Sequence, residues 1–180
     1  MKIIKKLLIA VVGLIVLVLI IAIFVKKEYA VEREVVINKP KSEVFEYIKY
    51  LKNQDSFSVW AMKDPNMKKE YKGEDGTVGF ISAWDSEMKD VGKGEQEIKG
   101  IIEGAKVEYE LRFIKPFEAT DDAYMITEAA ADNHTTVKWG FRGKMDYPMN
   151  FMLLFMDMED MLGKDLQQGL NNLKEQIEKK

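Results

Sequence analysis

The chain has no cysteine, which excludes disulfides, thiolate catalysis and cysteine-ligated metal centres. Histidine is almost as scarce, with His134 alone. It follows Asn133 at an expected hairpin tip, where neither a metal nor acid–base chemistry would find partners, so it reads as a solvated turn residue. Asn133-His134-Thr135 also fits the glycosylation triplet, a pattern that arises often by chance. Asp64, Asp75, Asp85, Asp90, Asp121 and Asp122 lie near glycines or turns but lack the spacing of a calcium loop. Gly92-Lys93-Gly94 lacks the third glycine of a dinucleotide fingerprint and precedes a strand pattern, so it reads as a β-turn. No metal and no cofactor is expected. Internal repeats and low-complexity linkers are absent as well.

One long stretch lacks charge altogether. Leu7 to Val25 holds nineteen residues, none more polar than Gly13. As a helix it would span roughly 28 Å, close to the hydrocarbon thickness of a bilayer. A cleaved signal would have a shorter apolar core and a small-residue cleavage site, whereas this run ends in Phe24-Val25-Lys26-Lys27-Glu28. The expectation is an uncleaved single-pass anchor over residues 1–27, its transmembrane helix at about 7–25, followed by one domain over residues 28–180. Lys2, Lys5, Lys6 and the amino terminus precede the run; Lys26 and Lys27 follow it. That small excess favours a cytoplasmic N-terminus and a domain on the exported, periplasmic or extracellular side.

All 30 acidic residues lie at or beyond Glu28, against 22 of the 27 basic ones, so the domain carries a net charge of −8. This argues against nucleic acid as a partner and leaves apolar ligands open. Ala30 to Ile37 alternates as a strand, and Asn38-Lys39-Pro40 ends it and opens a helix over Lys41 to Tyr50. A short helical piece is expected over Asn53 to Phe57. Period-two patterning follows at Lys69–Lys72, Val78–Asp85, Glu95–Ile102, Lys106–Ile114, Ala123–Ala131 and Thr135–Arg142. Within Lys106–Ile114, Val107, Tyr109, Leu111 and Phe113 share one face, as Val137, Trp139 and Phe141 do later. A long helix is expected from about Asn150 to Glu178, with Phe155, Leu162, Leu166, Leu170, Leu173 and Ile177 as its apolar stripe.

Several segments carry a family likeness: Val35-Val36-Ile37-Asn38-Lys39-Pro40 leading to Val44-Phe45, Trp60-Ala61-Met62-Lys63-Asp64-Pro65, and Tyr71-Lys72-Gly73. Gly76-Thr77-Val78-Gly79, Trp84, Gly92-Lys93-Gly94 and Thr135-Thr136-Val137-Lys138-Trp139 continue it in order. Over roughly residues 30–180 the chain resembles the START-like, polyketide cyclase/dehydrase-like (SRPBCC) superfamily. The resemblance implies an α+β helix-grip fold, a curved antiparallel sheet wrapped around a long C-terminal helix with a cavity between them. Members bind lipids, sterols, polyketides or other apolar molecules there, and a minority catalyse cyclisation or dehydration. No catalytic set carries over to this chain.

The aromatic candidates for a cavity wall are Trp60, Phe80, Trp84, Tyr109, Phe113 and Trp139, although core aromatics are the commoner case. Met145, Met149, Met152, Met156, Met158 and Met161 crowd the entry to the last helix, joined by Phe151, Leu153, Leu154 and Phe155. This block reads as core filling, as a pliable gate that adds Met152 and Phe155 to the cavity, or as a bilayer contact. The leading expectation is a membrane-tethered domain binding an apolar small molecule or lipid. A cyclase or hydratase is the second reading, with Glu128 or Tyr109 as the acid or base to test. An envelope interaction module with a filled core is the third.

Overall fold

The computed structural model describes residues 2–179. Helix α1 (Lys2–Phe24) comes first, and strand β1 (Glu28–Ile37) follows after three residues. Helix α2 (Lys41–Lys49), a 3-10 turn (Leu51–Ser56) and the short helix α3 (Val59–Lys63) come next. The sheet continues through β2 (Lys68–Lys72), β3 (Ile81–Asp85), β4 (Lys93–Ile102), β5 (Lys106–Lys115), β6 (Ala119–Ala131) and β7 (His134–Lys144). A second 3-10 turn (Met149–Leu154) leads into the long helix α4 (Met158–Glu178).

The seven strands form one curved antiparallel sheet in the order β1-β7-β6-β5-β4-β3-β2. β1 is an edge strand, and α4 covers it. Lys174 Nζ donates to the Val36 carbonyl at 2.6 Å, and the Asn38 amide donates to Glu178 Oε1 at 2.7 Å. Arg33 reaches the start of α4 through an ion pair with Glu159. The opposite edge, β2, carries Lys68, Lys69 and Lys72, charges that discourage strand addition.

Several expected boundaries move, the strand expected from Ala123 starting at Ala119, and two of the shifts have a clear local cause. The strand expected from Val78 begins at Ile81, because Gly76 and Gly79 take positive φ (78° and 90°) and turn the chain before the ladder starts. The helix expected from Asn150 begins at Met158. Asp157 caps it, its carboxylate accepting from the Asp160 amide at 3.0 Å, with Glu159 and Asp160 in the first turn. Residues 149–154 form the separate 3-10 turn, so Phe155 is absent from the helix stripe. Leu166, Leu170, Leu173 and Ile177 remain on the stripe and are buried.

The core fills only half the space under the sheet. Ile37, Val107, Met125 and Val137 pack against α2 (Val44, Phe45, Ile48) and the C-terminal half of α4. This filled half lies at the end of the sheet away from α1. Nearer α1, a cavity lies between the sheet and the N-terminal half of α4.

Candidate functional site

The cavity measures about 380 Å³. Its floor comes from alternate residues of neighbouring strands: Ser82 and Trp84 on β3, Gln96 on β4, Leu111 and Phe113 on β5. Ala123, Trp139 and Phe141 extend it across β6 and β7, and Leu162 and Leu166 of α4 close the far side. Trp60 and Ala61 of α3 and Gln54 of the first 3-10 turn form the remaining wall.

The aromatic side chains brace one another. Trp139 meets Phe57 edge-on at 5.6 Å between centroids and Trp60 at 6.3 Å. Trp84 meets Phe113 at 6.1 Å in the same manner, and its indole N–H donates to the Val91 carbonyl at 3.2 Å. Gly94 makes room for that ring: a Cβ there would lie 2.7 Å from Trp84 Cζ2. Such edge-to-face pairs hold aromatic walls in place better than aliphatic ones.

The polar groups are few. Gln54 is buried, and its Nε2 lies beside the Tyr109 hydroxyl without a partner in hydrogen-bonding geometry. Asp55, on the rim, is held by Lys69 at 2.7 Å and by the Tyr71 hydroxyl at 2.9 Å. Burial, with the Asp55 bond adding to it, pushes the Tyr71 hydroxyl up to about 12. The exposed part of the lining, Lys89 and Asp90 before β4 and Lys115 and Pro116 after β5, marks the mouth. Among the described residues neither Lys89 nor Lys115 makes an ion pair, and no cluster of three metal-ligating side chains is present.

Four of the eight residues expected on a cavity wall are there: Trp60, Trp84, Phe113 and Trp139. Phe80 and Tyr109 are wholly buried in the filled half instead. Phe80 stacks on Tyr71 at 6.1 Å, and the Tyr109 hydroxyl donates to the Ile48 carbonyl at 3.4 Å. Burial raises the Tyr109 hydroxyl far above its ordinary range, which unsuits it as a base. Met152 and Phe155 lie outside the cavity, because the cap at Asp157 starts α4 beyond them and leaves them exposed beside α1. Glu128 points outward and pairs with Lys138 at 2.8 Å. His134 sits exposed on the β6–β7 turn, Nδ1 2.7 Å from the Asp132 carbonyl oxygen. Sequence reasoning passed over Gln54, Gln96 and Ala123. Strand parity points to Gln96 and Ala123 once the inward face is known; Gln54, on an irregular turn, gives no periodic signal.

Sheet, gripping helix and enclosed cavity define the class: this is a helix-grip fold, the architecture that the sequence resemblance implied. Among solved structures the chain is similar to the crystal structure of Ara h 8.0201, at 15% identity, with 84% of this chain and 96% of that one covered and a TM-score of 0.54. It is similar to major latex-like protein 151 of Panax ginseng, at 13% identity, with 84% and 98% covered and a TM-score of 0.58. It is also similar to DynU16, from the dynemicin biosynthetic locus, at 13% identity, with 83% and 47% covered and a TM-score of 0.57. No protein-family model and no curated protein matches the sequence.

Proposed function

We propose that this chain is a single-pass membrane protein whose domain, residues 28–180, binds an apolar small molecule or lipid in the cavity between sheet and α4. The observation that carries the reading is the cavity itself. It has Trp60, Trp84, Phe113 and Trp139 on its walls and one buried amide donor, Gln54 Nε2, without a partner. A volume near 380 Å³ lies in the range of small-molecule sites. Each ligand methylene buried there contributes about 0.8 kcal/mol, and the Gln54 amide suits an acceptor such as a carbonyl or hydroxyl oxygen.

The membrane half of the proposal rests on α1. It runs for 23 residues, about 35 Å of helix, and Ala22 is its one buried residue. Ile3, Leu7, Leu14 and Ile20 are all at least half exposed. A helix apolar along its length and covered by protein only near its C-terminal end calls for an apolar medium. The lysine excess before the run supports placing the domain on the exported side.

The test is native mass spectrometry of the full chain, extracted gently from membranes, beside an Ala61→Trp variant. The new indole would occupy the cavity from α3 without removing any wall. The expected result is a bound apolar small molecule on the parent chain, absent from a variant that melts at the same temperature. A parent chain that stays without bound mass after challenge with extracted lipids would overturn the binding reading.

A further inference from the structure

The β-ladder registers place the mouth of the cavity at the same end of the domain as α1. Glu28, which follows α1, pairs with Lys144 at the end of β7. Asp122 near the start of β6 pairs with Arg142, Phe113 pairs with Ala119, and Lys93 pairs with Lys115. The turns that form the mouth, residues 86–92 and 115–118, therefore lie at the same end of the sheet as the junction where α1 leaves the domain.

That junction is built. Asn150, wholly buried in the second 3-10 turn, donates through Nδ2 to the carbonyl oxygens of Ala22 and Val25 at 2.7 and 2.9 Å. These bonds satisfy two carbonyls at the end of α1, which its own helix leaves open. The Met145 amide donates to the Lys27 carbonyl at 2.8 Å, tying down the intervening residues. These bonds tie the end of α1 to the domain.

The same end carries apolar side chains with no protein cover. Beyond Glu28, the two most exposed large hydrophobic residues are Phe117, on the β5–β6 turn, and Phe155, each 77% exposed. Leu154 and Met149 are more than half exposed beside Phe155, and Phe151 meets it edge-on at 5.3 Å. Phe117 adjoins Lys115 and Pro116 at the mouth; Phe155 adjoins the turn that caps α1.

We propose that this end of the domain rests on the bilayer, with Phe117 and the Leu154–Phe155 pair inserted at the lipid–water interface, so that the cavity opens onto the lipid surface. The proposal rests on α1 spanning the membrane. The occupant is the bilayer because Phe155 directly follows the 3-10 turn that packs against the end of α1, where Ile23 and Phe24 are themselves exposed, and Phe117 lies at the same end of the sheet. Aromatic side chains favour the interfacial zone, where their rings leave water without crossing the headgroups. Glu87, Asp90, Glu118, Asp146 and Asp157 accompany the lysines of this end, so the contact is apolar and suits a zwitterionic surface. A ligand could then pass between bilayer and cavity without crossing water.

The absence of cysteine makes the test direct. Single nitroxide labels at Leu14→Cys, Phe117→Cys, Phe155→Cys and Asp132→Cys are placed on the full chain in phosphatidylcholine nanodiscs. Each is read for collision with oxygen and with a water-soluble nickel chelate. Expected are a Leu14 label at the bilayer centre, an Asp132 label in water, and Phe117 and Phe155 labels at intermediate depth. With Leu14 at the centre, Phe117 or Phe155 labels as nickel-accessible as Asp132 would overturn the proposal and leave the membrane span standing. Labels there shielded from both reagents would overturn it in favour of a protein partner. A nickel-accessible Leu14 label would overturn the span, and the proposal with it.

Discussion

Gln54 carries the sharpest energetic consequence of any single residue. A buried amide donor without a partner costs about 1–3 kcal/mol, an expense that packing alone does not require. Gln54→Leu should therefore raise the unfolding midpoint of the ligand-free protein. The same change should weaken a ligand with an oxygen acceptor about tenfold and leave a plain hydrocarbon ligand unaffected. Thermal melts and titration with paired ligands check both arms; a Leu variant less stable than the parent would mean that Nε2 has a partner in the folded state. The aromatic residues make the complementary point. Trp84 and Phe80 share a strand face by parity, yet one lines the cavity and the other fills the core. Parity assigns a face; only the position of the helices decides which stretch of that face is covered.

At the scale of elements, the approach of α4 to the sheet depends on a helix glycine. A Cβ at Gly169 would lie 2.7 Å from Trp139 Cζ3 and 3.4 Å from the Phe57 carbonyl oxygen. Trp139 could yield only into the cavity it lines, at the loss of its edge-on contacts with Phe57 and Trp60. Gly169→Ala should cost about 1–3 kcal/mol of stability despite alanine's better helix propensity. Gly163→Ala should cost less, because its nearest neighbour is the Arg33 guanidinium, a side-chain end that can swing aside at the loss of its partly exposed pairing with Glu159. Denaturant melts of the two variants measure the difference. Two further glycines explain themselves in pairs: Tyr124 lies over Gly140 and Tyr29 over Gly143, each directly across the ladder. Strands were the most legible elements, since alternation is a local pattern. The start of α4 was not, because residues 149–156 are apolar throughout and a periodicity reading extends the helix through them; the break depends on the cap at Asp157.

For the whole molecule, the relation of α1 to the domain turns on Asn150. Asn150→Ala removes both side-chain bonds to α1 and should weaken the junction by about 1–3 kcal/mol. Because the sheet core lies elsewhere, the domain should still melt cooperatively. Distances between spin labels at Leu14→Cys and Asp132→Cys should spread into a broader distribution in the variant. A distribution as narrow as that of the parent would show that packing of the Met149–Leu154 turn suffices. The division of the domain into a filled half and a hollow half also belongs to this scale. The packed half supplies stability, which leaves the half near α1 free to enclose a cavity.

Local chemistry was enough to determine the apolar helix, the seven strands, the final helix and their order, because periodicity, turn glycines and an uncharged run are properties of neighbouring residues. The order of those elements carried the resemblance to the helix-grip fold. Tertiary structure alone decided the rest. Gln54 came to the cavity on an irregular turn, Tyr109 met Ile48 of α2, Phe80 stacked on Tyr71, and Asn150 met Ala22 across 128 residues of sequence. Contacts at that separation arise from how whole elements pack, and no local pattern in the chain encodes them.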